Sequence, residues 1–339
     1  MNLPSVSIIT TSYNTPLSLW KKMLTAIRVQ EYPKQKIEHI IMDGGSTNGI
    51  HEILRKEHKR VYVRRDLLDK PLSRMGLGIS YAKNDLVLLL EPDNIIVGNS
   101  WLKQMVQPFC DDQKIVAAYS MHNYAEPDMP MFTRYCALFG INDPLVYYLQ
   151  KSEKLPQFTA TITRGNIIRH TAGYSVVEFN RANLPTLGDN GHMVRRTAIQ
   201  HTYKNPHEYI HTDAFVRLLR KNKNRYAVVR NSVIHFTGSS LWDYFSRRIE
   251  YKRRYFDGKA DKRQYLVYDA NSSEDKKNLF AYILYSITMI QPFLLSVRGY
   301  MQVHDMAWFL HPLVCILGVF AYGYSEARRI LSGYGAWLK

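Results

Sequence analysis

The feature that most limits how this sequence can fold is the stretch Asp85–Asn94, in which five consecutive apolar residues end at two carboxylates. The apolar run Leu86–Leu90 is typical of a strand buried on both faces. Glu91 and Asp93 follow it at the carboxyl end of the strand, where open α/β sheets bind ligands. Because Mg2+ and Mn2+ prefer oxygen ligands, the pair predicts a site for a divalent cation and a diphosphate. The alternative is a strand followed by an acidic turn.

Strand-like and helix-like segments alternate along the first 240 residues, which predicts an α/β domain with a mostly parallel sheet. The predicted strands are Val6–Thr10, Ile37–Met42, Val61–Val63, Leu86–Leu90 and Tyr226–His235. The predicted helices run from Leu17 toward Gln30, around Ile53 and Leu54, over Gly78–Lys83 and over Thr212–Arg220. We expect Pro16 at the first helical position, with Asn14 or Thr15 as the cap. Residues 126–183 predict irregular structure, and Leu187–Arg196 a loop that enters a basic segment.

Composition narrows the choice of partner and compartment. The net charge of +16 indicates an anionic partner, either nucleic acid, an acidic membrane surface or a phosphorylated substrate. The three cysteines, Cys110, Cys136 and Cys315, share no metal-binding spacing and favour a reducing compartment. No signal-like segment precedes the first strand, so we expect the main domain to remain in the cytoplasm.

The last hundred residues favour a membrane over nucleic acid. Residues 241–277 carry ten lysines and arginines interleaved with aromatic residues, a mixture that suits an anionic bilayer surface. Leu279–Val297 and Met306–Tyr324 follow, each 19 residues without formal charge. Proline interrupts both, so they form either a kinked spanning hairpin or helices that lie in the interface. Buried helices of a soluble domain or of a homo-oligomer interface are the alternative.

These patterns divide the chain into three predicted segments. Residues 1–240 form a catalytic domain, 241–277 basic interface helices and 278–339 an apolar helical hairpin. Lys276 and Lys277 precede the hairpin and Arg328 and Arg329 follow its apolar part, so the positive-inside rule places both flanks on the cytoplasmic face of the membrane.

Three segments, in order and at this spacing, resemble glycosyltransferase family 2 of the GT-A fold. Val6–Asn14 is similar to the family's first strand, Gln30–Pro33 to its Q-x-Y-P helix end, and Ile40–Gly49 to its V-D-D-G-S-T-D-G turn. The resemblance covers roughly residues 4 to 237. It implies a Rossmann-like, mostly parallel sheet flanked by helices, to which a C-terminal helical, membrane-associated segment is added.

The resemblance also implies a nucleotide-sugar site at the carboxyl edge of the sheet. Thr10, Ser12 and Tyr13 would lie near the base, where an aromatic face can stack on it. Asp43 would accept a hydrogen bond from a ring N–H of the base, unless it only forms an Asx-turn. Arg195 and Arg196 are candidates to steady the diphosphate leaving group, or else a solvated basic face.

Glu91-Pro92-Asp93 resembles the family's D-x-D motif, with Glu in place of the first Asp. Asp93 is therefore the expected metal ligand, and Glu91 is assigned to donor binding through water or a ribose hydroxyl. His235 is similar in position to a further metal ligand of the family, with a structural histidine as the alternative. The implied cofactor is Mn2+ or Mg2+.

Asp213 matches the second residue of the family's E-D pair, while Thr212 replaces the first. In an inverting transfer this carboxylate would take the proton of the acceptor hydroxyl. The alternative is an Asp that complements the helix dipole. Asp189 and Asn190 are placed on the acceptor side, and Asp189 is the rival general base.

The resulting hypothesis is an inverting, metal-dependent glycosyltransferase that moves a sugar from a UDP- or GDP-sugar to a membrane-held, polyprenyl-linked acceptor. A processive synthase is disfavoured because the family's Q-x-x-R-W signature is absent after Asp213. Two alternatives stay open. One is a nucleotidyltransferase that makes nucleotide sugars, although Thr11–Asn14 is not a glycine-rich phosphate loop. The other is a non-catalytic nucleotide-sugar-binding membrane protein.

Overall fold

The computed structural model describes residues 3–57, 59–188, 190–237, 240–255 and 263–337. The chain divides into two compact units. The first, which we name the sheet unit, comprises Met1–Tyr124 and Ile162–Phe236. The second, the helical unit, comprises Ala125–Thr161 and Thr237–Lys339.

The described part of the sheet unit contains one mixed sheet of ten strands. They are β1 (Val6–Ser12), β2 (Ile37–Asp43), β3 (Arg60–Val63), β4 (Leu86–Leu90), β5 (Asn94–Ile96), β6 (Ile115–Asn123), β7 (Asn166–His170), β8 (Tyr174–Glu178), β9 (Asn190–Arg195) and β10 (Arg225–His235). Their order is β3-β2-β1-β4-β9-β6-β10-β8-β7, and β5 pairs with β10. β3, β2, β1 and β4 run parallel. The predicted α/β fold is thus confirmed.

Twelve helices are found in the described ranges. They are α1 (Leu17–Arg28), α2 (Ile50–Lys56), α3 (Pro71–Tyr81), α4 (Trp101–Asp111), α5 (Met131–Phe139), α6 (Pro144–Tyr148), α7 (Arg196–Gln200), α8 (His211–Arg220), α9 (Leu241–Tyr255), α10 (Ser273–Thr288), α11 (Ile290–Gln302) and α12 (His311–Trp337). α5, α6 and α9 to α12 lie in the helical unit.

The packing of α3 on the sheet positions the candidate site. A Cβ atom added to Gly78 would lie 2.5 Å from a methyl carbon of Ile9 and 3.0 Å from Met42, so only glycine lets the helix approach β1 and β2 this closely. Gly76 allows a similarly close approach of the segment before α8, because a Cβ atom added to Gly76 would lie 2.1 Å from the carbonyl oxygen of Pro206. The segment that leads into α8 is therefore held against α3.

Several predicted elements differ from the structure. Pro16 itself is the cap residue of α1, and no side chain hydrogen-bonds to the helix end. Asn14 instead accepts a hydrogen bond from the amide of Thr47 at 2.9 Å and adopts a φ of 48°, so it links two turns. α3 begins at Pro71, ahead of the predicted start at Gly78, because two internal glycines obscure its apolar pattern.

The segments predicted to be irregular contain regular structure. Residues 126–183 hold α5, α6, β7 and β8. The supposed loop Leu187–Arg196 contains β9, which pairs antiparallel with β4 on one side and β6 on the other. Its central residues are buried on both faces, so the sequence lacks the polar alternation that marks a half-exposed strand.

The helical unit contains the apolar segments of the sequence. Among the described residues, one helix, within Met306–Leu331, is long and apolar enough to cross a membrane. α10 and α11 would form a second candidate only as a pair, and they meet at an angle of 82°. Their junction is Met289, which adopts a left-handed φ of 56°.

Candidate active site at the carboxyl edge of the sheet

The carboxyl ends of three neighbouring strands bring the predicted donor residues to one edge. Ser12 ends β1 and is the register partner of Asp43, which ends β2. The hydroxyl of Thr10 in β1 donates to the carbonyl oxygen of Leu90, the last residue of β4, at 2.8 Å. Glu91 follows directly. Asp43 and Glu91 therefore flank the end of β1, as the strand order β2-β1-β4 requires.

Asp43 is fully buried and forms a dense set of hydrogen bonds with its own turn. One carboxylate oxygen accepts from the amides of Gly45 and Ser46 at 2.8 and 2.7 Å and lies 3.0 Å from His51 Nε2. The other accepts from the Ser46 hydroxyl at 2.5 Å. Burial alone would raise the pKa of Asp43, but these hydrogen bonds outweigh it and hold the pKa below its usual value. The carboxylate is thus charged and fixed in an Asx-type turn.

The three residues expected near the base differ in how far their side chains are exposed to solvent. Thr10 is fully buried; its hydroxyl donates to Leu90 and therefore accepts from His39 Nε2, 2.9 Å away. It cannot reach a ligand, which corrects its predicted role. Ser12 is 3% exposed, and its hydroxyl has no hydrogen-bond partner among the described residues. Tyr13 is 46% exposed and offers an aromatic face at this edge.

Arg74, on α3, is a residue that sequence reasoning missed. It is 3% exposed, and one guanidinium nitrogen donates to the carbonyl oxygens of Leu67 and Leu68 at 2.6 and 2.7 Å. Burial lowers its pKa, while the charges of Glu91 and Asp43 favour the protonated form. Nε has no hydrogen-bond partner among the described residues. A buried cation at this edge can bind the phosphates of a donor.

The turn that follows β2 leaves room for this guanidinium. A Cβ atom at Gly44 would lie 2.9 Å from a terminal nitrogen of Arg74. The Gly44-Gly45 pair was the available sequence signal, since adjacent glycines often mark close approach of another group to the backbone.

Glu91 and Asp93 face different partners. The hydroxyl of Thr11 lies 2.9 and 2.8 Å from the two carboxylate oxygens of Glu91. Asp93 has 39% of its side chain accessible, and its Oδ2 lies 3.7 Å from His235 Nε2. The antiparallel pairing of β5 with β10 sets this approach, because Asn94 is the register partner of His235.

The Asp93–His235 pair fits a divalent cation. A carboxylate oxygen and a neutral imidazole nitrogen are suitable ligands for Mn2+, and they lie close enough to share one ion. In the described part of the chain, no group of three or more His, Cys, Asp or Glu side chains could hold a metal. The remaining coordination positions would therefore fall to diphosphate oxygens and water, as is common for Mg2+ in phosphate-binding sites.

Arg195 and Arg196 lie at the opposite edge of the sheet. Arg195 is the register partner of Leu86, at the amino end of β4, and the carboxyl end of that strand is about 13 Å further along at ~3.3 Å per residue. The Arg195 side chain donates to the carbonyl oxygens of Ile115 and Phe109, and Arg196 to that of Asn84. Arg195 and Arg196 therefore have a structural role, and not the predicted role at the diphosphate.

The acceptor-side residues are only partly described. Asp189 lies outside the described residues. Asn190, the first residue of β9, is the register partner of Leu90 and so lies at the same edge as Glu91. Asp213 is buried in the first turn of α8. The segment that leads into α8 is anchored on α3 next to Arg74, because the hydroxyl of Ser73 donates to the carbonyl oxygen of His207 at 2.8 Å.

Comparisons with known proteins identify the family of the chain. The model of a family described as Glycosyl transferase family 2 matches residues 7–178, about half of the chain. The cellulose synthase catalytic subunit (UDP-forming) of Pseudomonas fluorescens (strain SBW25) is 24% identical over 126 residues. That alignment covers 37% of this chain but only 17% of the length of that relative.

Solved structures that align with nearly the whole chain include the following two. The mannosyltransferase PcManGT from Pyrobaculum calidifontis, solved in complex with GDP-Man and Mn2+, has a TM-score of 0.52 at 13% identity, with 96% of this chain and 87% of that chain covered. A fragment of S. aureus TarS has a TM-score of 0.48 at 14% identity, with 97% and 92% covered. The likeness to the mannosyltransferase confirms the predicted GT-A-type fold.

Proposed function

Because the chain belongs to glycosyl transferase family 2, we propose that it moves a sugar from a UDP- or GDP-sugar, with inversion, to a polyprenyl-linked acceptor held at a membrane. The observation that carries this proposal is the meeting of Asp43, Glu91 and buried Arg74 at the carboxyl ends of β2, β1 and β4. This is the edge at which α/β sheets bind nucleotides.

The donor would occupy this edge with its phosphates toward Arg74 and its base toward Tyr13. Asp93 and His235 would hold Mn2+ or Mg2+, and the ion would neutralise charge on the diphosphate leaving group. The mannosyltransferase of similar fold was solved with GDP-Man and Mn2+, which supports a nucleotide-sugar and a divalent cation as ligands. Asp43, charged and fixed in its turn, would orient the segment that carries these contacts.

Asp213 would act as the general base. Its carboxylate would take the proton from the acceptor hydroxyl as that oxygen attacks the anomeric carbon on the face opposite the diphosphate. Burial supports this role, since an acid shielded from bulk water is held in one orientation by its surroundings. Asn190, beside the end of β4, would contact the acceptor.

A membrane-held acceptor explains why the chain combines donor chemistry with apolar helices. The helical unit exposes large apolar side chains on α10, α11 and α12, and the chain as a whole carries a charge of +16. The charge favours an anionic partner, and the exposed apolar side chains favour a membrane surface over nucleic acid. We place the protein at the cytoplasmic face, and its partners would be the nucleotide-sugar and the lipid-linked acceptor.

Incubation of the purified full chain with UDP- and GDP-sugars, Mn2+ and membrane lipids tests the proposal. We expect release of one nucleoside diphosphate and transfer of labelled sugar into the organic phase, with both lost in Asp93→Ala. Absence of UDP or GDP release with every donor would overturn the proposal. Pyrophosphate release would indicate the nucleotidyltransferase alternative, and donor binding without turnover the non-catalytic one.

A further inference from the structure

The helices on the two sides of the bend between α10 and α11 both expose apolar side chains to solvent. Phe280, Ile283, Leu284 and Ile287 lie at helical spacing on one face of α10, and Ile290, Phe293 and Leu294 continue the surface on α11. Phe280 is 70% exposed and Ile290 65%. We name residues 280–294 the elbow. An exposed apolar surface of this kind is typical of a binding site.

The elbow cannot cross a bilayer. α10 has 16 residues and α11 has 13, which correspond to about 24 and 20 Å at 1.5 Å per residue. Each is shorter than the ~30 Å hydrocarbon core. The 82° bend at Met289 prevents the two lengths from adding. The apolar surface can therefore enter a membrane only part of the way, without crossing it.

α12 is long enough to cross, at about 40 Å for its 27 residues, but one of its faces binds charged groups. The hydroxyl of Tyr322 donates to Asp143, which also pairs with Arg248 of α9 at 3.3 Å. One turn further, Glu326 pairs with Lys252 of α9 at 2.8 Å. A spanning α12 would carry α9 and these ion pairs into hydrocarbon, which is costly.

The charged residues near the elbow indicate which kind of partner binds to it. Between Asp275 and Asp305 the only charged residues are Lys276, Lys277 and Arg298, all basic and all exposed. Lys276 and Lys277 lie on α10 ahead of the elbow, and Arg298 lies on α11 beyond it. Anionic headgroups complement this pattern. The same surface of a second copy would bring like charges together.

We propose that the elbow inserts into one leaflet of an anionic bilayer, so that the protein is monotopic and α12 lies along the interface rather than across it. This inference rests on the membrane association proposed above and specifies its geometry. It does not depend on the donor, so vesicle binding can be measured without any nucleotide-sugar.

Flotation of the full chain with vesicles tests the binding surface. We expect binding to phosphatidylcholine vesicles that contain phosphatidylglycerol, weaker binding at high salt, and about a tenfold or greater loss in Ile287→Asp/Ile290→Asp. Ile168→Asp, at an exposed apolar residue of β7 in the sheet unit, is the control and should bind normally. Lys276→Gln/Lys277→Gln leaves the apolar surface intact and should weaken binding to the anionic vesicles alone.

Three outcomes of these measurements would overturn the proposal: no vesicle binding, equal binding by the elbow variant, or a dimer in light scattering that the elbow variant dissociates. Urea unfolding of the same preparations shows whether each variant is folded. Because neither unfolding nor flotation requires a donor, failure of this inference is distinguishable from failure of the proposed function.

Labelling from one side of the membrane tests the topology. In a Cys110→Ser background, whose other cysteines Cys136 and Cys315 are buried, we would introduce Met306→Cys and Leu331→Cys at the two ends of the apolar helix. An impermeant maleimide should label both from the cytoplasmic face. Labelling of the two positions from opposite faces would show that α12 spans the membrane and would overturn the proposal.

Discussion

His235 Nε2 lies 3.7 Å from Asp93 Oδ2, and the pairing of β10 with β5 holds the two side chains together. Since neither strand can shift without breaking this ladder, the two atoms form a pre-positioned pair, and 39% of the Asp93 side chain is accessible. Such a pair can bind a divalent cation, and the cation would in turn bind the donor diphosphate.

We expect Asp93→Ala to abolish turnover and His235→Ala to raise the Mn2+ concentration needed for half-maximal activity on the order of tenfold. The reason is that Asp93 supplies the charged ligand while His235 supplies a neutral one. Nucleoside diphosphate release at increasing Mn2+ concentration measures both effects. His201→Ala, at an exposed histidine, is the control. An unchanged Mn2+ requirement in His235→Ala would assign the histidine a structural role.

Asp213→Asn should lower turnover by about 10²- to 10⁴-fold while donor binding stays near normal. The amide has the shape of the carboxylate but cannot accept the acceptor's proton. Calorimetric titration with the donor and measurement of product release separate the two properties. If the variant remains active, the base lies elsewhere, and Asp189→Asn becomes the next variant to measure.

Arg74 is buried and Arg195 is half-buried, and the two cations have different expected roles. Arg74→Gln should weaken donor binding, because Arg74 lies with Asp43 and Glu91 at the donor edge. Arg195→Gln should leave the donor KM within about twofold and reduce the free energy of unfolding by roughly 1–3 kcal/mol, since the carbonyls of Ile115 and Phe109 lose their donor. Donor titration and urea unfolding of both variants distinguish the roles, and a donor-binding defect in Arg195→Gln alone would reverse the assignment.

The strands that end at the site were readable from sequence because each is an apolar run closed by polar residues. β4 is the clearest case, with its five buried residues followed by Glu91. Arg195 was misplaced because its sequence neighbours do not reveal the direction of β9. Once β9 runs antiparallel to β4, its last residue reaches the amino edge. Arg74 was missed because its environment comes from long-range packing of α3, which no local pattern records.

Thr10 is a second residue whose role could not be predicted from local sequence. The sequence places it correctly at the end of the first strand, but the direction of its side chain depends on which residues lie on either side of β1. His39 from β2 and the carbonyl of Leu90 from β4 take both hydrogen-bonding positions of the hydroxyl. The register of the sheet, rather than the motif, decides that Thr10 is structural.

His39 gives the sheet unit a pH-dependent stability. Burial, reinforced by the charge of Lys59, lowers the pKa of His39 from 6.5 to about 3. Between these values the unfolded chain binds a proton that the folded chain does not, so the contribution of His39 to stability is complete above about pH 6.5 and is lost as the pH falls toward 3. The loss is at most about 1.4 kcal/mol per pH unit for one proton.

We therefore expect His39→Gln to retain more of its stability than the wild type when the pH falls from 7 to 5, by about 1–2 kcal/mol. Glutamine can still donate to Thr10 but does not titrate in this range. Urea unfolding at several pH values measures the difference, and His201→Gln is the control because His201 is exposed. Parallel pH profiles for wild type and His39→Gln would mean that His39 is protonated equally in the folded and unfolded chains, which its burial and its bond to Thr10 oppose.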